Sequence, residues 1–390
     1  MSTNIIDASI GNPIIMSDRF ISRNIFQKTP NDILYQIEQP KDIIALLKRY
    51  LLFLDEDFDT SLNVIISPGG STLAIAASLY AIQKLEDNEI TVRNALSPPY
   101  YSSYIDIVGT MKNSRWVSTD SKSTVKMITS PNNPDGRLVD PNIKSRYKSK
   151  YIILDAVYDN PQFTGRCNTV NSWKYEYFKS DYFCEVNSIS KIGFAGIRFG
   201  YIVTRNKELA YLANEYIENM NLGQNRSSNT TFVTRYDELN NEILYQNIYR
   251  QLHIRHEQIR EIIPKRFIRS NNRVPYVFFE LPMSIFDSVD IISMLGTSYG
   301  VSNRYSRISI MIGEEDWIDM LCRFRSDKFM KYIEHLSEFQ DVIFEDIDSH
   351  FITRPLYYDS SKFIVFILVI TFIICLMIFY HRNRRYDHII

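Results

Sequence analysis

The sequence predicts an α/β fold built on a mostly parallel sheet, followed by a smaller α+β lobe and an apolar helix near the carboxyl end. Three observations carry this. Short apolar runs alternate with helical stretches from about residue 63 to residue 203, and such alternation places helices on the faces of a parallel sheet. A turn of small residues, Pro68-Gly69-Gly70-Ser71-Thr72, separates the first apolar run from the helix behind it. Beyond about residue 236 the order changes to one long charged helix and then strands mixed with short helices. That change marks a second lobe.

The strands expected in order are 63–66, 91–96, 126–129, 151–154, 182–187 and 199–203, each a short apolar run bounded by turn residues. A helix over 73–84 opens directly behind the glycine turn. A highly charged helical pattern runs from about 237 to 263. Strands follow at 274–281, 299–302 and 306–312, with helices at 284–295, 315–324 and 328–336. The expected organisation is an amino-terminal arm at 1–45 that also joins the small domain, a large domain at 46–235, an interdomain helix with the small domain at 236–345, and a linker at 346–362.

Lys and Arg total 44 against 45 Asp and Glu, a formal net charge of -1. No whole-chain field draws in a polyanion, and no nucleic-acid partner is expected. Apolar residues at 45% and charged residues at 23% fit a globular chain and exclude bulk disorder, a fibrous repeat or a polytopic membrane protein. Cys167, Cys184, Cys322 and Cys375 show no C-x-x-C spacing, so neither a disulfide framework nor a zinc knuckle is expected, and no metal site is assigned.

Residues 363–380 are 18 positions without a charge, about 27 Å as a helix and close to the thickness of a thin bilayer core. Lys362 flanks them on one side, and His381, Arg382, Arg384 and Arg385 on the other, a pattern of interfacial anchors. The alternative is a buried core helix. The expectation is a single-pass transmembrane helix with a basic tail at 381–390. The basic tail alone argues for a cytoplasmic tail, but no export signal is read at 1–20, and ten residues cross more readily than the domain before them. A tail-anchored protein with its globular part facing the cytosol is therefore expected.

Chemistry gathers where the strands end. Gly69, Gly70, Ser71 and Thr72 lie between a strand and a helix, where free backbone N–H groups and the positive helix end can cradle a phosphate; the same residues also make an ordinary turn. The run Pro99-Tyr100-Tyr101-Ser102-Ser103-Tyr104 offers rings that can stack on a flat ligand or pack in the core. Ser130-Pro131-Asn132-Asn133-Pro134-Asp135-Gly136 follows a strand and has the composition of a turn. The next strand ends in Asp155-Ala156-Val157-Tyr158, a carboxylate and a phenol at the edge where such sheets bind ligands. Between two further apolar strands, Ser188-Ile189-Ser190-Lys191 leads through Gly193 and Gly196 to Arg198 and Gly200. A lysine among Ser, Gly and Arg in a tight loop suggests amine chemistry beside a phosphate.

In this order and spacing the pieces resemble the fold-type I pyridoxal-phosphate enzymes, the aspartate aminotransferase superfamily, over roughly residues 5 to 345. Within it they look most like the alliinase and tryptophan-aminotransferase-related group, through Gly-Ser-Thr, the Pro-x-Tyr-Ser-x-Tyr run and the block Thr129 to Gly136. The resemblance implies a seven-stranded large domain, a small α+β domain, pyridoxal 5'-phosphate as cofactor, α-amino acid and 2-oxo acid substrates, and a homodimer. It implies Lys191 as the Schiff-base lysine and Asp155 on the pyridine nitrogen. Asn133 and Tyr158 would sit at the phenolic oxygen and Tyr101 against the ring. Gly70, Ser71, Thr72, Ser188 and Arg198 would hold the phosphate. Arg307 matches the arginine for the substrate carboxylate, with Arg304 its rival, while Gly11, Asn12 and Pro13 match the segment that closes over substrate. Tyr35 is the nominee for a tyrosine reaching the partner subunit's phosphate.

These residue types suit the chemistry. A lysine must lose a proton to form an imine, and a neighbouring cation or desolvation lowers its pKa. An anionic Asp155 keeps a pyridine nitrogen protonated, and Arg307 offers a planar fork to a carboxylate. Two departures are visible. Lys191 and Arg198 are seven residues apart where most of the superfamily has eight, and the cysteine-rich extension of plant alliinases is missing. The function expected is an aminotransferase. Its rivals are a C–S lyase working by β-elimination on the same residues, and a membrane-bound scaffold that kept the fold without the reaction.

Overall fold

The computed structural model describes residues 6–8, 40–139, 149–165, 168–221 and 226–343. The chain divides into two compact units, Met1–Ile333 and Glu334–Ile390. Among the described residues no helix is long and apolar enough to cross a membrane; the run at 363–380 lies outside them.

The strands are β1 (Ile6–Asp7), β2 (Asn63–Ser67), β3 (Ile90–Asn94), β4 (Ser114–Trp116), β5 (Val125–Thr129), β6 (Tyr151–Asp155), β7 (Phe183–Ser188), β8 (Gly200–Thr204), β9 (Tyr276–Phe279), β10 (Ile291–Ile292), β11 (Met294–Leu295) and β12 (Ser306–Ser309). Seven of them form the central sheet in the order β2-β8-β7-β6-β5-β3-β4. β4, β3, β5, β6 and β7 are parallel neighbours, and β8 runs antiparallel between β2 and β7. All residues of β6, β7 and β8 are buried. Such strands carry apolar side chains on both faces, which is why they stand out as continuous runs rather than alternations.

One face of the sheet is covered by α2 (Gly70–Leu85) and α6 (Lys207–Asn221), after α1 (Lys41–Leu54). Ala74, Ala77 and Ala81 are fully buried on α2, and their small size lets the helix axis come close to the strands while Ile75, Leu79 and Ile82 fill the space between. Asn206 fixes the start of α6, its Oδ1 accepting from the Glu208 and Leu209 N–H groups at 2.9 Å each. Because strand side chains alternate, Cys184 and Val186 join that core, whereas Glu185 points to the opposite face. There the buried Lys174 ammonium lies 3.0 Å from Glu185 Oε2 and 3.5 Å from Asp55 Oδ2, and the Tyr175 hydroxyl donates to the same Asp55 oxygen.

The short helices α3 (Ser103–Gly109), α4 (Pro161–Thr164), α5 (Lys174–Tyr177), α7 (Arg226–Thr234) and α8 (Tyr236–Leu239) precede the long α9 (Glu242–Ile262). The lobe after α9 holds the antiparallel sheet β11-β12-β9 and the parallel pair β1-β10, with α10 (Met283–Asp287), α11 (Glu314–Phe324) and α12 (Asp327–Ile343). Arg255 of α9 ties this lobe together, donating from Nη1 to the Ile310 and Ile312 carbonyls at 2.8 and 2.7 Å.

Several elements differ from the sequence expectation for identifiable reasons. The charged helix expected over 237–263 is broken, because Asn241 leaves the helical region and caps α9 by accepting from Leu244 N–H. The helix expected over 284–295 ends at Asp287, and Asp290 with φ +57° turns the chain into β10. The strand expected at 299–302 is a tight turn instead: Gly296–Tyr299 forms a 3-10 helix closed by Gly300 in the left-handed region. β4 has three residues and no apolar run to reveal it.

Candidate active site

Strand register brings the chemistry to one edge of the central sheet. Thr129 at the end of β5 stands opposite Asp155 at the end of β6. Ser188 at the end of β7 stands opposite Gly200, which also faces Ser67 of β2. The turns leaving those strand ends carry Gly69 to Thr72, Asn133, Tyr158 and Lys191, at the edge where parallel sheets bind ligands.

Asp155 is buried and held on both oxygens. Tyr104 donates its hydroxyl to Oδ2 at 2.6 Å, Thr129 Oγ1 lies 2.6 Å from that hydroxyl, and Val157 N–H reaches Oδ1 at 3.3 Å. Burial pushes the carboxyl up; the Tyr104 and Val157 hydrogen bonds and the Lys191 charge hold it back, leaving it at about 6. At neutral pH and above it is an anion.

The start of α2 is shaped around Arg198. The guanidinium Nη2 donates to the Gly69 carbonyl at 2.8 Å and Gly70 N–H donates to the Arg198 carbonyl at 2.9 Å. Gly70 has φ +70°, and a Cβ there would lie 2.8 Å from Arg198 Nη2. Gly200 is as demanding, since its Cβ would lie 2.4 Å from the Gly70 carbonyl carbon. A guanidinium, a helix N-terminus and two missing side chains thus share one corner, which suits a phosphate dianion. Ser71 is half-buried and Thr72 exposed in the first turn. Ser188 Oγ accepts from Ser190 N–H at 2.9 Å and lies 3.1 Å from the Phe199 carbonyl.

Arg307 of β12 is buried among aromatic rings. Its Nη1 donates to Asn133 Oδ1 at 3.1 Å, and its Cζ lies 3.8 Å from the Tyr276 ring centroid and 5.2 Å from that of Tyr299. Arg304 goes elsewhere, pairing with Glu280 at 3.6 Å and donating to Tyr305 at 3.0 Å. The Tyr158 and Tyr276 hydroxyls lie 3.1 Å apart, and Lys191, which is half-buried, hydrogen-bonds Tyr276. Tyr101 is half-buried and meets Tyr104 edge-on at 5.3 Å.

Contacts thus link Lys191 with Asp155 and Tyr276, Tyr276 with Tyr158 and Arg307, and Arg307 with Asn133, while Arg198 and Gly70 meet at the start of α2. Gly11, Asn12, Pro13 and Tyr35 lie outside the described residues. The sequence offers Tyr104 only as one ring of its aromatic run, and assigns Tyr276 and Tyr299 no part in the site. Tyr104 closes the Pro-x-Tyr-Ser-x-Tyr run, three residues after Tyr101 and so one helical turn away, whereas Tyr276 and Tyr299 carry no local signal. Among the described residues no group of three or more His, Cys, Asp and Glu is arranged to hold a metal ion.

Fold and site together define the aminotransferase-like fold of pyridoxal-phosphate-dependent enzymes. The Allinase family model matches residues 59–273, more than half of the chain, and the chain belongs to that family. Tryptophan aminotransferase-related protein 2 of Arabidopsis thaliana is 32% identical over 174 residues, 42% of this chain and 36% of that protein. The match thus spans about a third of the relative's length. Among solved structures, an aminotransferase from Staphylococcus aureus superposes with a TM-score of 0.67 at 16% identity, over 85% of this chain and 95% of that one. A Methanococcus jannaschii protein described as similar in its active site to kynurenine aminotransferases gives 0.65 at 17%, over 85% and 92%. At these identities the likeness speaks for the fold.

Proposed function

We propose that this chain is a pyridoxal-phosphate-dependent aminotransferase that moves the amino group of an α-amino acid to a 2-oxo acid. The observation that carries this is the convergence of an amine, Lys191, a buried anion, Asp155, and a buried guanidinium, Arg307, at the sheet edge where Arg198 and the start of α2 form an anion corner. The residues fit the cofactor: Gly70, Ser71, Thr72, Ser188 and Arg198 would hold its phosphate, Asp155 its ring nitrogen, Asn133 and Tyr158 its phenolic oxygen, and Tyr101 its face. When bound, pyridoxal phosphate supplies an electron sink conjugated to the substrate Cα.

The chain's own groups do the rest. Arg307 binds and orients the substrate carboxylate with two parallel N–H donors. Asn133, already held by Arg307 Nη1 at 3.1 Å, fixes that guanidinium from the turn after β5. Lys191, as an amine, would take the proton leaving the substrate Cα and hold it as the site's general acid and base. Buried aromatic side chains around Arg307, among them Tyr158, Tyr276 and Tyr299, exclude water and strengthen each charge interaction. The acting form is proposed as a homodimer, tethered by residues 363–380 with the globular part toward the cytosol.

Membership of the Allinase family favours a second reading, a C–S lyase using the same residues for β-elimination. Product analysis separates the two. Incubation with a panel of amino acids and a 2-oxo acid acceptor is expected to yield the donor's own 2-oxo acid and an aminated acceptor. Pyruvate with a thiol or sulfenate from an S-substituted cysteine supports the lyase, and no turnover of either kind supports the scaffold.

A further inference from the structure

Asp155 closes β6 with both oxygens engaged, and the shorter of the two contacts is to a phenol. Tyr104 of α3 donates its hydroxyl to Oδ2 at 2.6 Å, while Val157 N–H reaches Oδ1 at 3.3 Å. A tyrosine hydroxyl carries one proton. With that proton on Asp155, the Thr129 hydroxyl, 2.6 Å from the Tyr104 oxygen, is the donor in the second contact. Two hydroxyls in series therefore point at one carboxylate, each polarising the next. Tyr104 is fully buried and Asp155 is 4% exposed, so water does not stand in for either. Burial first, then the Asp155 charge, pushes the Tyr104 phenol well above the ordinary tyrosine value. It stays protonated and remains a donor.

We propose that Tyr104, backed by Thr129, is a positioning residue that keeps the proton shared by Asp155 and the cofactor's ring nitrogen on the nitrogen. This rests on the reading of Asp155 as the partner of that nitrogen. Burial works against an ion pair at such a place and favours the neutral arrangement. Reaching it takes one proton transfer: the ring N–H bond breaks, an O–H bond forms on Asp155, both charges vanish and no electron changes hands. Whatever makes Asp155 a weaker base opposes that transfer. Burial alone raises the carboxyl, and the Tyr104 hydrogen bond is the largest influence holding it back, ahead of the Val157 N–H and the Lys191 charge.

Lys191 is committed to the cofactor under the same reading, which leaves the two hydrogen bonds. Tyr158, in the turn after β6, also faces Asp155, but burial raises its phenol and it adds no charge. Loss of the Tyr104 donor is therefore expected to raise the proton affinity of Asp155 by about ten- to a hundredfold.

The test is solid-state nitrogen NMR of pyridoxal phosphate, isotopically labelled at its ring nitrogen and bound to the full-length protein at neutral pH. The chemical shift tells pyridinium from pyridine and is read without turnover. Wild type is expected at the pyridinium end and Asp155→Asn at the pyridine end. Tyr104→Phe is expected to move from the wild-type position toward that of Asp155→Asn, and Thr129→Val to move the same way by less. A purely structural role for Tyr104 would lower the amount bound and leave the shift of the bound cofactor at the wild-type position, and that result overturns the proposal alone. A wild-type shift already at the pyridine end overturns the Asp155 reading with it, whereas failure of wild type to retain the cofactor removes the cofactor reading itself. Should Tyr104→Phe hold no cofactor, Thr129→Val decides, because an unmoved resonance there contradicts the proposal.

Discussion

The Tyr104 hydroxyl donates to Asp155 Oδ2 at 2.6 Å, and both side chains are buried. Burial lifts the Asp155 carboxyl from 3.8 to about 6 against the opposing hydrogen bonds. A carboxyl whose folded value is raised destabilises the fold once both states are ionised, here by about 3 kcal/mol above pH 6. That penalty shrinks as pH falls toward 3.8 and is absent below it. Asp155→Asn is therefore expected to raise the apparent melting temperature of the cofactor-free protein at alkaline pH and to lose this gain below pH 3.8, while cofactor retention falls. Tyr104→Phe removes a donor to the anion and should lower alkaline stability by about 1.5–3 kcal/mol. Thermal melts across pH check both.

Gly70 and Gly200 are expected to resist even alanine. At Gly70 the positive φ alone costs an L-residue about 1–2 kcal/mol, and its Cβ would press on the Arg198 guanidinium, which can swing aside at the expense of the anion corner. At Gly200 the obstacle is the Gly70 backbone, which cannot swing. Urea midpoints should fall for both, further for Gly200→Ala, and Gly70→Ala should also weaken pyridoxal-phosphate retention on dialysis.

Arg307 and Arg304 separate cleanly by their partners. Arg307→Lys keeps the charge and loses the fork, so kcat/KM for the amino acid should fall by about 1.5–3 kcal/mol, roughly ten- to a hundredfold. Arg304 already serves Glu280 and Tyr305, and Arg304→Lys should stay within about 0.5 kcal/mol in stability with little effect on kcat/KM. Steady-state kinetics on both variants gives the comparison.

Lys174 lies on the sheet face opposite α2 and supports the fold rather than the chemistry. Removing its ammonium leaves Glu185 and Asp55 buried without their cation. Lys174→Met should cost about 3–5 kcal/mol, partly recovered by adding Glu185→Leu. Denaturant melts of the single and double variants check this.

Local signals and distant contacts divide what the chain reveals of itself. β6, β7 and β8 are buried throughout and β5 nearly so, so they stand out as apolar runs, and the ends of β5, β6 and β7 locate Asp155 and the turns bearing Asn133 and Lys191. The edge strand β4 is too short and too exposed to do so. In the small lobe, single residues in the left-handed region, Asp290 and Gly300, end elements that apolar content alone would extend. The aromatic lining of Arg307 was illegible for another reason. Tyr276 and Tyr299 meet that side chain only because β9, β12 and a turn converge, and in a chain with 26 tyrosines no local pattern marks those two.

The central claim is that Lys191 carries the cofactor, and borohydride reduction of the protein incubated with pyridoxal phosphate, followed by mass spectrometry of its peptides, tests it most directly. The account predicts one stable pyridoxyl adduct, on the Lys191 peptide and absent from Lys191→Ala. An unmodified Lys191 peptide, or equal labelling scattered over surface lysines, would contradict it.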